Sequence, residues 1–363
     1  MKKSILVILI VILLAGLFMS GCSSSADKVS AAAQSVDSVS STTGKIWKLR
    51  FGYEQSPASY NHLYIWEPWA QEVEKATKGR VKIELFPSQT LFKTTDAVNA
   101  VQTGITDLGF VIPANFPGMY PLIDVAQLPF NSLTSHCSSQ VVWNLYQKYP
   151  EIQKMYSDFK LVSIWTTDSM YLHSAGKNYK TLADFRGQQI RTSAGASTDL
   201  VNLLGANAVF MGMGDVYVNL QKGVIDALIV SSEGALGFRI YEVAPYQTHF
   251  PGVKSVHSII MNKKIWNEMP ADVQAEFDSV SGFTLCQKCA AVADKASVDM
   301  PALCQNAGVT LHEYTVPNDE LADWVKTAGG PMSEAWLKKA QKAGLTNGRQ
   351  ILDDMIGLSQ QYQ

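Results

Sequence analysis

Apolar and polar positions alternate along the chain in a way that predicts strands and helices in turn. Residues 47–53, WKLRFGY, show the period of a half-buried strand. In the next segment Trp66, Trp69 and Val73 fall on one face of a helix, which ends at Gly79. A strand (VKIELFP), a short helix (TTDAVNAVQTG) and a buried strand (ITDLGFVIP) follow. This order indicates a doubly wound α/β unit with a mostly parallel sheet.

A second unit of the same kind follows in the chain. A β-rich run at residues 160–175 precedes the strand QQIR, the helix STDLVNLLGA, the strand NAVFMGM, the helix GDVYVNLQKG and the strand VIDALIV. The segment AVQTGITDLGFVI of the first half recurs as NLQKGVIDALIV, and both read as a helix that ends on glycine and turns directly into a strand. This echo indicates two similarly built lobes.

One long helix is predicted after the second unit. Beyond a strand over residues 256–266, the helical pattern begins at Pro270 and runs for about 30 residues, with a kink at Gly282. At ~1.5 Å per residue such a helix spans roughly 45 Å, which is enough to lie across two lobes. A late strand, VTLHEYT, and helices over residues 317–358 complete the pattern.

The first 44 residues differ from the rest in composition. Residues 1–22 combine a positive start, the apolar run ILVILIVILLAGLFM and the small residues of SGC, which is typical of a signal peptide. The segment resembles a bacterial lipoprotein signal, in which Cys22 becomes the lipidated first residue; an uncleaved anchor is the alternative. Residues 23–44 are rich in Ser, Ala and Thr and predict a flexible tether. Either version places the protein outside the cytoplasm (in the periplasm or at the outer face of the membrane), held through its N-terminus.

Composition favours a globular protein and argues against several functions. The chain has 363 residues, 47% of them apolar and 17% charged, which allows two domains and a substantial core. A formal net charge of -2 offers no basic field for a nucleic acid. The sequence contains no G-x-S-x-G elbow, P-loop, H-E-x-x-H or G-x-G-x-x-G motif, so we expect neither an enzyme nor a bound cofactor or metal.

Four cysteines follow Cys22 in the chain. Cys286 and Cys289 form a C-x-x-C pair in a helical segment with no βαβ pattern beside it, and no second close pair is available for a zinc site. Structural cysteines are therefore favoured over a redox or zinc site. Because an oxidising compartment permits disulfides, we predict a bridge from Cys137 to Cys286 or Cys289; the sequence does not fix how these and Cys304 otherwise pair.

Open α/β sheets bind ligands beyond the carboxyl ends of their strands, which identifies candidate cleft residues. They are Glu54 and Gln55 after the first strand, Asn115 and Phe116 after GFVIP, and Tyr217 in DVYVNL.

Arg191 raises a separate question, because it ends the strand QQIR and meets the Gly/Ser-rich loop TSAGAS. It is either an ordinary surface cation, a partner of Asp184 or Asp199, or a group placed to hold an anion.

Six stretches in this order resemble the extracytoplasmic solute-binding proteins of TRAP transporters, the DctP family. They are WAQEVEKATKGRVKIELFPS, AVQTGITDLGF, YPLIDVAQLPF, LADFRGQQIR, DVYVNLQKGVIDA and MNKKIWNEMPADVQ. The resemblance covers nearly the whole chain from Trp47 onward.

The resemblance implies a two-lobed periplasmic-binding-protein-like α/β fold with doubly wound sheets, crossing strands and one long bracing helix. We expect lobe I to comprise residues 45–168 and 252–296, and lobe II residues 169–251 and 297–363. It also implies that a small organic acid binds in the cleft, that the lobes close around it, and that the loaded protein, a monomer, delivers it to the membrane subunits of a TRAP permease.

The resemblance further implies that Arg191 in GQQIR is the family arginine that pairs with a ligand carboxylate. A guanidinium presents two parallel N–H donors that match the two oxygens of a carboxylate. Tyr171 stands near the place where some relatives carry a second arginine, and Met213 stands where an aromatic residue is common. In DALIVSSEG apolar residues replace polar ones, and this places Val230 and Ser231 in the cleft wall.

These departures indicate a cleft with one cation and a less polar wall. We therefore expect a monocarboxylate with an apolar or aromatic body, such as an aryl or 2-oxo acid. The alternatives are a C4-dicarboxylate ligand, and a role as the ligand-binding partner of a membrane sensor instead of a transporter.

Overall fold

The computed structural model describes residues 45–132 and 134–363; the predicted lipidation site Cys22 and the predicted tether lie outside the described residues. Within the described part, eleven strands form a five-stranded and a six-stranded sheet. The strands are β1 (Trp47–Gly52), β2 (Val81–Phe86), β3 (Leu108–Val111), β4 (Phe159–Thr166), β5 (Tyr171–Ser174), β6 (Gln189–Thr192), β7 (Asn207–Phe210), β8 (Ala227–Val230), β9 (Tyr246–His249), β10 (Val256–Asn262) and β11 (His312–Thr315).

Thirteen α-helices accompany these strands in the described residues. They are α1 (Glu67–Ala76), α2 (Ala97–Gln102), α3 (Ser135–Lys148), α4 (Pro150–Lys154), α5 (Ala196–Leu203), α6 (Met213–Gln221), α7 (Ser232–Gly237), α8 (Lys263–Glu268), α9 (Ala271–Ser279), α10 (Gly282–Asn306), α11 (Asn318–Trp324), α12 (Gly330–Lys342) and α13 (Gly348–Gln361).

Each sheet has a parallel part and an antiparallel part. The first sheet has the order β2–β1–β3–β10–β4, in which β1 is parallel to β2 and β3, and β10 is antiparallel to β3 and β4. The second has the order β11–β9–β5–β8–β6–β7, in which β6 is parallel to β7 and β8, and β5 is antiparallel to β8 and β9. Two such α/β sheets agree with the predicted two-lobed fold class.

The chain passes between the sheets in two segments that pair with each other. Residues 167–170 lead from β4 to β5, and residues 250–255 lead from β9 to β10. The Thr167 N–H donates to the Ser255 carbonyl at 2.9 Å. The Ser255 N–H in turn donates to Thr167 Oγ1 at 3.1 Å. These two crossing segments join the sheets at one place and form the floor of the site described below.

The predicted long helix is broken ahead of Gly282. Helix α9 ends at Ser279 and α10 begins at Gly282, whose φ of +54° a glycine adopts with little strain. The predicted single helix from Pro270 is thus two helices, and the break falls directly ahead of the predicted kink at Gly282. The apolar pattern runs through the break without interruption, so it does not reveal that the helix ends there. Helix α10 packs against α3 and β4 on the first-sheet side and against α7 after the second sheet, as expected of a bracing helix.

Aromatic side chains fill the core beside the first sheet. Phe51, Trp66, Trp69 and Trp165 are all buried. The ring of Trp66 meets Phe51 edge-on at 5.3 Å and Trp165 at 5.9 Å between centroids. This packing holds the segment that precedes α1, which also contributes to the cleft.

The C-terminal helices lie against elements from the middle of the chain. Helix α13 packs against α3, and α12 contacts α5 and the turn Ile123–Gln127. The lobe boundaries given above stay a prediction. None of the helices between residues 45 and 363 that the structure describes has the length and apolar character needed to cross a membrane.

The cysteines correct the predicted bridge. Cys137, Cys286, Cys289 and Cys304 are free and buried. Cys286 and Cys289 belong to the apolar core beside the first sheet. The Sγ of Cys137 instead lies 3.5 Å from the Ser359 carbonyl, so the proposed partners point to different neighbours.

Candidate functional site

A cavity of about 80 Å³ lies where the two sheets meet at the crossing segments. Glu54 and Ile112 contribute from the first sheet, Thr167 and Met170 from a crossing segment, and Arg191 from β6 of the second sheet. An adjoining cavity of about 450 Å³ shares Glu54, Ile112 and Arg191 with it. Arg191 therefore stands at the junction of the two cavities.

Arg191 is a buried cation without a carboxylate in contact. Arg191 is only 6% exposed. Its Nε and Nη2 donate to the Met211 carbonyl at 2.9 and 2.8 Å. None of the ion pairs in the described residues includes Arg191. Asp184 pairs with Lys177 at 3.0 Å, and Asp199 lines a separate small cavity. Neither the surface position nor the two ion pairs considered above fit this arrangement.

Burial lowers the pKa of Arg191 to about 10, although the charge of Glu54 opposes the shift. The guanidinium therefore stays charged at neutral pH in a place where water hydrates it poorly. A buried charge of this kind is costly unless it is paired, and an anion in the cavity would supply the missing partner.

Glu54 follows β1 and is the carboxyl group that acts on Arg191. Thr94 Oγ1 donates to Glu54 Oε2 at 2.7 Å. Burial raises the pKa of Glu54, while the Thr94 hydrogen bond and the charge of Arg191 oppose that rise.

Glu233 is a second carboxyl group in the cavity wall, and the sequence reasoning missed it. It lies in the first turn of α7, two residues after the N-cap residue Ser231, whose hydroxyl accepts from the Gly234 N–H at 3.3 Å. Burial raises the pKa of Glu233 to about 7; a hydrogen bond with Asn61 opposes the rise, and the charge of Glu54 adds to it. Its place after the end of β8 is the same strand-end signal that identified Glu54.

Other buried ionisable groups lie in the two crossing segments and at the start of β10, and the sequence reasoning also missed them. Asp168, in a crossing segment, accepts from the Ser232 N–H at 3.3 Å and from its hydroxyl at 2.9 Å, and burial raises its pKa well above the usual value. Burial lowers the pKa of Lys254 to about 8 and that of His257 to about 3, so the His257 ring in the cavity wall is neutral at pH 7.

Seven of the ten predicted ligand-binding residues lie in these two cavities. Six line the first cavity: Glu54, Gln55, Arg191, Met213, Val230 and Ser231. Asn115 lines the adjoining cavity, where Glu54, Arg191 and Met213 also appear.

Tyr171, Phe116 and Tyr217 are not brought to either cavity. The ring of Tyr171 packs at a tilt against the ring of His249, with 4.2 Å between ring centroids. Because successive side chains of an extended chain point to opposite sides, it is Met170 that lines the cavity. Tyr217 donates to Glu242 at 3.0 Å, and Phe116 packs against the apolar core.

The part of the chain that the structure describes contains no group of three or more His, Cys, Asp or Glu side chains placed to hold a metal ion. The chemistry that the cavity offers is recognition of an anion by one guanidinium, with carboxyl, amide and hydroxyl groups around it.

Comparison with known proteins matches this architecture. The family model described as "DctP: Bacterial extracellular solute-binding protein, family 7" matches residues 51–339. The outer membrane transporter protein TsaT of Comamonas testosteroni is 24% identical over 292 residues, which are 80% of this chain and 85% of TsaT.

Two solved structures share the fold. A TRAP solute-binding protein from Rhodoferax ferrireducens, in complex with copurified benzoate, has a TM-score of 0.81 at 22% identity, covering 87% of this chain and 98% of that one. A marine metagenome TRAP solute-binding protein specific for aromatic acid ligands, in complex with 3-hydroxybenzoate, has a TM-score of 0.81 at 23% identity, covering 88% and 99%.

Proposed function

Because the chain belongs to the DctP family of bacterial extracellular solute-binding proteins, we propose that it captures a monocarboxylate with an apolar or aromatic body through Arg191. The observation that carries this proposal is a guanidinium that is buried at the junction of two cavities and touches no carboxylate. The family is one of solute-binding transport proteins. The activity to test is therefore reversible binding of the acid, with no bond made or broken in it.

The orientation of Arg191 supports bidentate binding of a carboxylate. The Met211 carbonyl occupies Nε–H and one Nη2–H. A guanidinium has five N–H donors in a plane, so two on Nη1 and one on Nη2 are left. The pair formed by Nη1 and Nη2 is the edge that matches the two oxygens of a carboxylate.

The rest of the cavity wall supports an apolar body with a single charge. Ile112, Met170, Met213 and Val230 supply apolar surface. Among the residues that the structure describes, Arg191 is the only lysine or arginine that lines the first cavity. A second carboxylate in the first cavity would meet Glu54 or Glu233 with no cation to pair with, which disfavours a C4-dicarboxylate there. Lys93, the other basic side chain that the structure places in these two linings, belongs to the adjoining cavity. The aromatic acids held by the two structural relatives agree in character with this ligand class.

Membership of a family of solute-binding transport proteins implies that the captured acid is handed on for transport. We propose that the lobes close around the bound acid, that the protein delivers it to TRAP permease subunits as a monomer, and that a lipid on Cys22 keeps it at the membrane.

Calorimetric titration with benzoate and with succinate tests the assignment. Arg191→Ala should weaken benzoate binding by roughly 2–5 kcal/mol, which is about 30-fold or more, because the ligand carboxylate loses a buried charge-assisted pair. Arg186→Ala is the matched control, since Arg186 is exposed in the same segment. Unchanged affinity in Arg191→Ala would refute the assignment, and binding of succinate without benzoate would favour the C4-dicarboxylate alternative.

A further inference from the structure

We propose that the cleft selects acids that carry a hydroxyl group on their body, and that Glu233 and Gln55 are the residues that accept its hydrogen bond. This inference rests on the proposed function, because it concerns the part of the same ligand that Arg191 does not hold. It assigns the two residues a role in specificity.

The first observation is a buried, unpartnered acceptor in a residue of the cavity wall. Gln55 lines the cavity and is only 9% exposed, and its Oε1 is buried with no hydrogen-bond partner. Buried polar atoms in native proteins are nearly always paired. An acceptor left open at the wall of a binding cavity therefore indicates a donor on the ligand.

The second observation is the Glu233 carboxyl group in the same wall. The residue is 8% exposed and shares the cavity wall with Asn61. A carboxyl group has two oxygens with room for several hydrogen bonds, so one neighbouring amide leaves acceptor capacity for a ligand. Glu54, the other carboxyl group in the wall, already accepts a hydrogen bond from Thr94, and the charge of Arg191 acts on it. Glu233 is therefore the carboxyl group that we assign to the ligand hydroxyl.

A purely hydrocarbon ligand body would leave these acceptors without partners. It would place carbon against Glu233 and Gln55, and a buried acceptor without a donor costs binding free energy. A hydroxyl group satisfies them and needs no second charge.

Matched pairs of acids test this selectivity. We would titrate the protein with benzoate and with 2-, 3- and 4-hydroxybenzoate, and with phenylacetate and mandelate, at one pH by calorimetry. At least one hydroxylated acid should bind about 10- to 100-fold more tightly than its parent, as a hydrogen bond to a charged group predicts.

Variants assign the effect to the residues. Glu233→Met keeps the side-chain length and removes the acceptor, so the ratio of affinities should fall toward one. Glu233→Gln keeps an oxygen and should retain part of the ratio. Gln55→Met should lower the ratio as well. Circular dichroism and a benzoate titration verify that each variant is folded.

The titrations distinguish a failure of the hydroxyl selectivity from a failure of carboxylate capture by Arg191. If every acid binds equally with and without its hydroxyl, or if Glu233→Met and Gln55→Met both keep the wild-type ratio, the selectivity proposal is refuted while carboxylate capture stands. If benzoate and its hydroxylated forms all bind no more weakly to Arg191→Ala, the proposed function itself is refuted.

Discussion

At the scale of single residues, the cleft and the crossing segments contain ionisable groups that burial disfavours. Arg191, Glu233 and Lys254 all have pKa values shifted by burial toward their neutral forms. Each lowers the stability of the empty protein, since a charged group out of water is costly. Binding sites commonly retain such groups at the expense of stability. The cost should therefore be visible in the stability of the ligand-free protein.

Glu233→Gln should change how stability depends on pH. The pKa of Glu233 is about 7 in the folded protein against an ordinary 4.5. Between these values the folded state binds a proton that the unfolded state has lost, so the free energy of unfolding falls as pH rises from 4.5 to 7 and stays lower above. The glutamine variant lacks this loss. We expect it to be more stable than wild type by roughly 1–3 kcal/mol at pH 8 and similar at pH 4.

Urea unfolding of the ligand-free protein at the two pH values measures the effect. Glu268→Gln is a suitable control, because Glu268 is exposed and its pair with Lys45 is long, at 3.7 Å. The same gain in both variants at pH 8 would show that burial of Glu233 is not its source.

At the scale of elements, the junction between β6 and α5 shapes the cleft wall. Arg191 lies in β6, and the loop after it reaches α5 through Gly195, whose φ of +77° and ψ of −135° belong to a region that side chains rarely adopt. A Cβ on Gly195 would lie 3.4 Å from the Cβ of Ala114, which belongs to the turn after β3 in the other sheet. The glycine thus permits both the turn and the close approach of the two walls.

Gly195→Ala should lower both stability and ligand affinity. The backbone strain should cost roughly 1–3 kcal/mol of unfolding free energy, and the added methyl group should push against the opposite wall. Gly187→Ala is the matched control: Gly187 has a similar φ of +75° but nothing lies within 4 Å of its would-be Cβ. Denaturant unfolding and benzoate titration of both variants separate the two effects. Equal affinities in the two variants would contradict a role for Gly195 at the cleft.

The sequence predicted the elements well and the cleft in part. The ends of strands in α/β sheets indicate where ligands bind, and this rule identified Glu54 and Gln55. Glu233 also follows a strand end, but it comes after two serines that are typical of an ordinary loop. Tyr171 and Met170 differ by one position in an extended segment, and a count along the chain does not decide which of the two faces the cavity. Periodicity also fails at breaks such as the one between α9 and α10, because the apolar pattern continues through them.

At the scale of the whole molecule, the two sheets are joined by few elements. The crossing segments pair with each other through Thr167 and Ser255, and α10 contacts elements on both sides. The fold that the structure describes is held by packing and hydrogen bonds, without a disulfide among Cys137, Cys286, Cys289 and Cys304.

The thiols should be unreactive in the native protein. Burial raises the pKa of Cys286, Cys289 and Cys304, which lowers the fraction present as the reactive thiolate. We expect a thiol reagent such as Ellman's to modify none of the four described cysteines rapidly in the native state. After unfolding in guanidinium it should detect all four, in addition to any free thiol on Cys22. Fewer thiols in the unfolded protein would indicate a bridge.

The Met211 carbonyl has a consequence for the entropy of binding. A free arginine side chain loses about 2 kcal/mol of rotamer entropy when it is fixed in one orientation. Two hydrogen bonds to Met211 already hold the Arg191 guanidinium in plane, so that loss occurs when the protein folds. An arriving acid meets a pre-organised receptor and spends little of its binding free energy on ordering the side chain that recognises it.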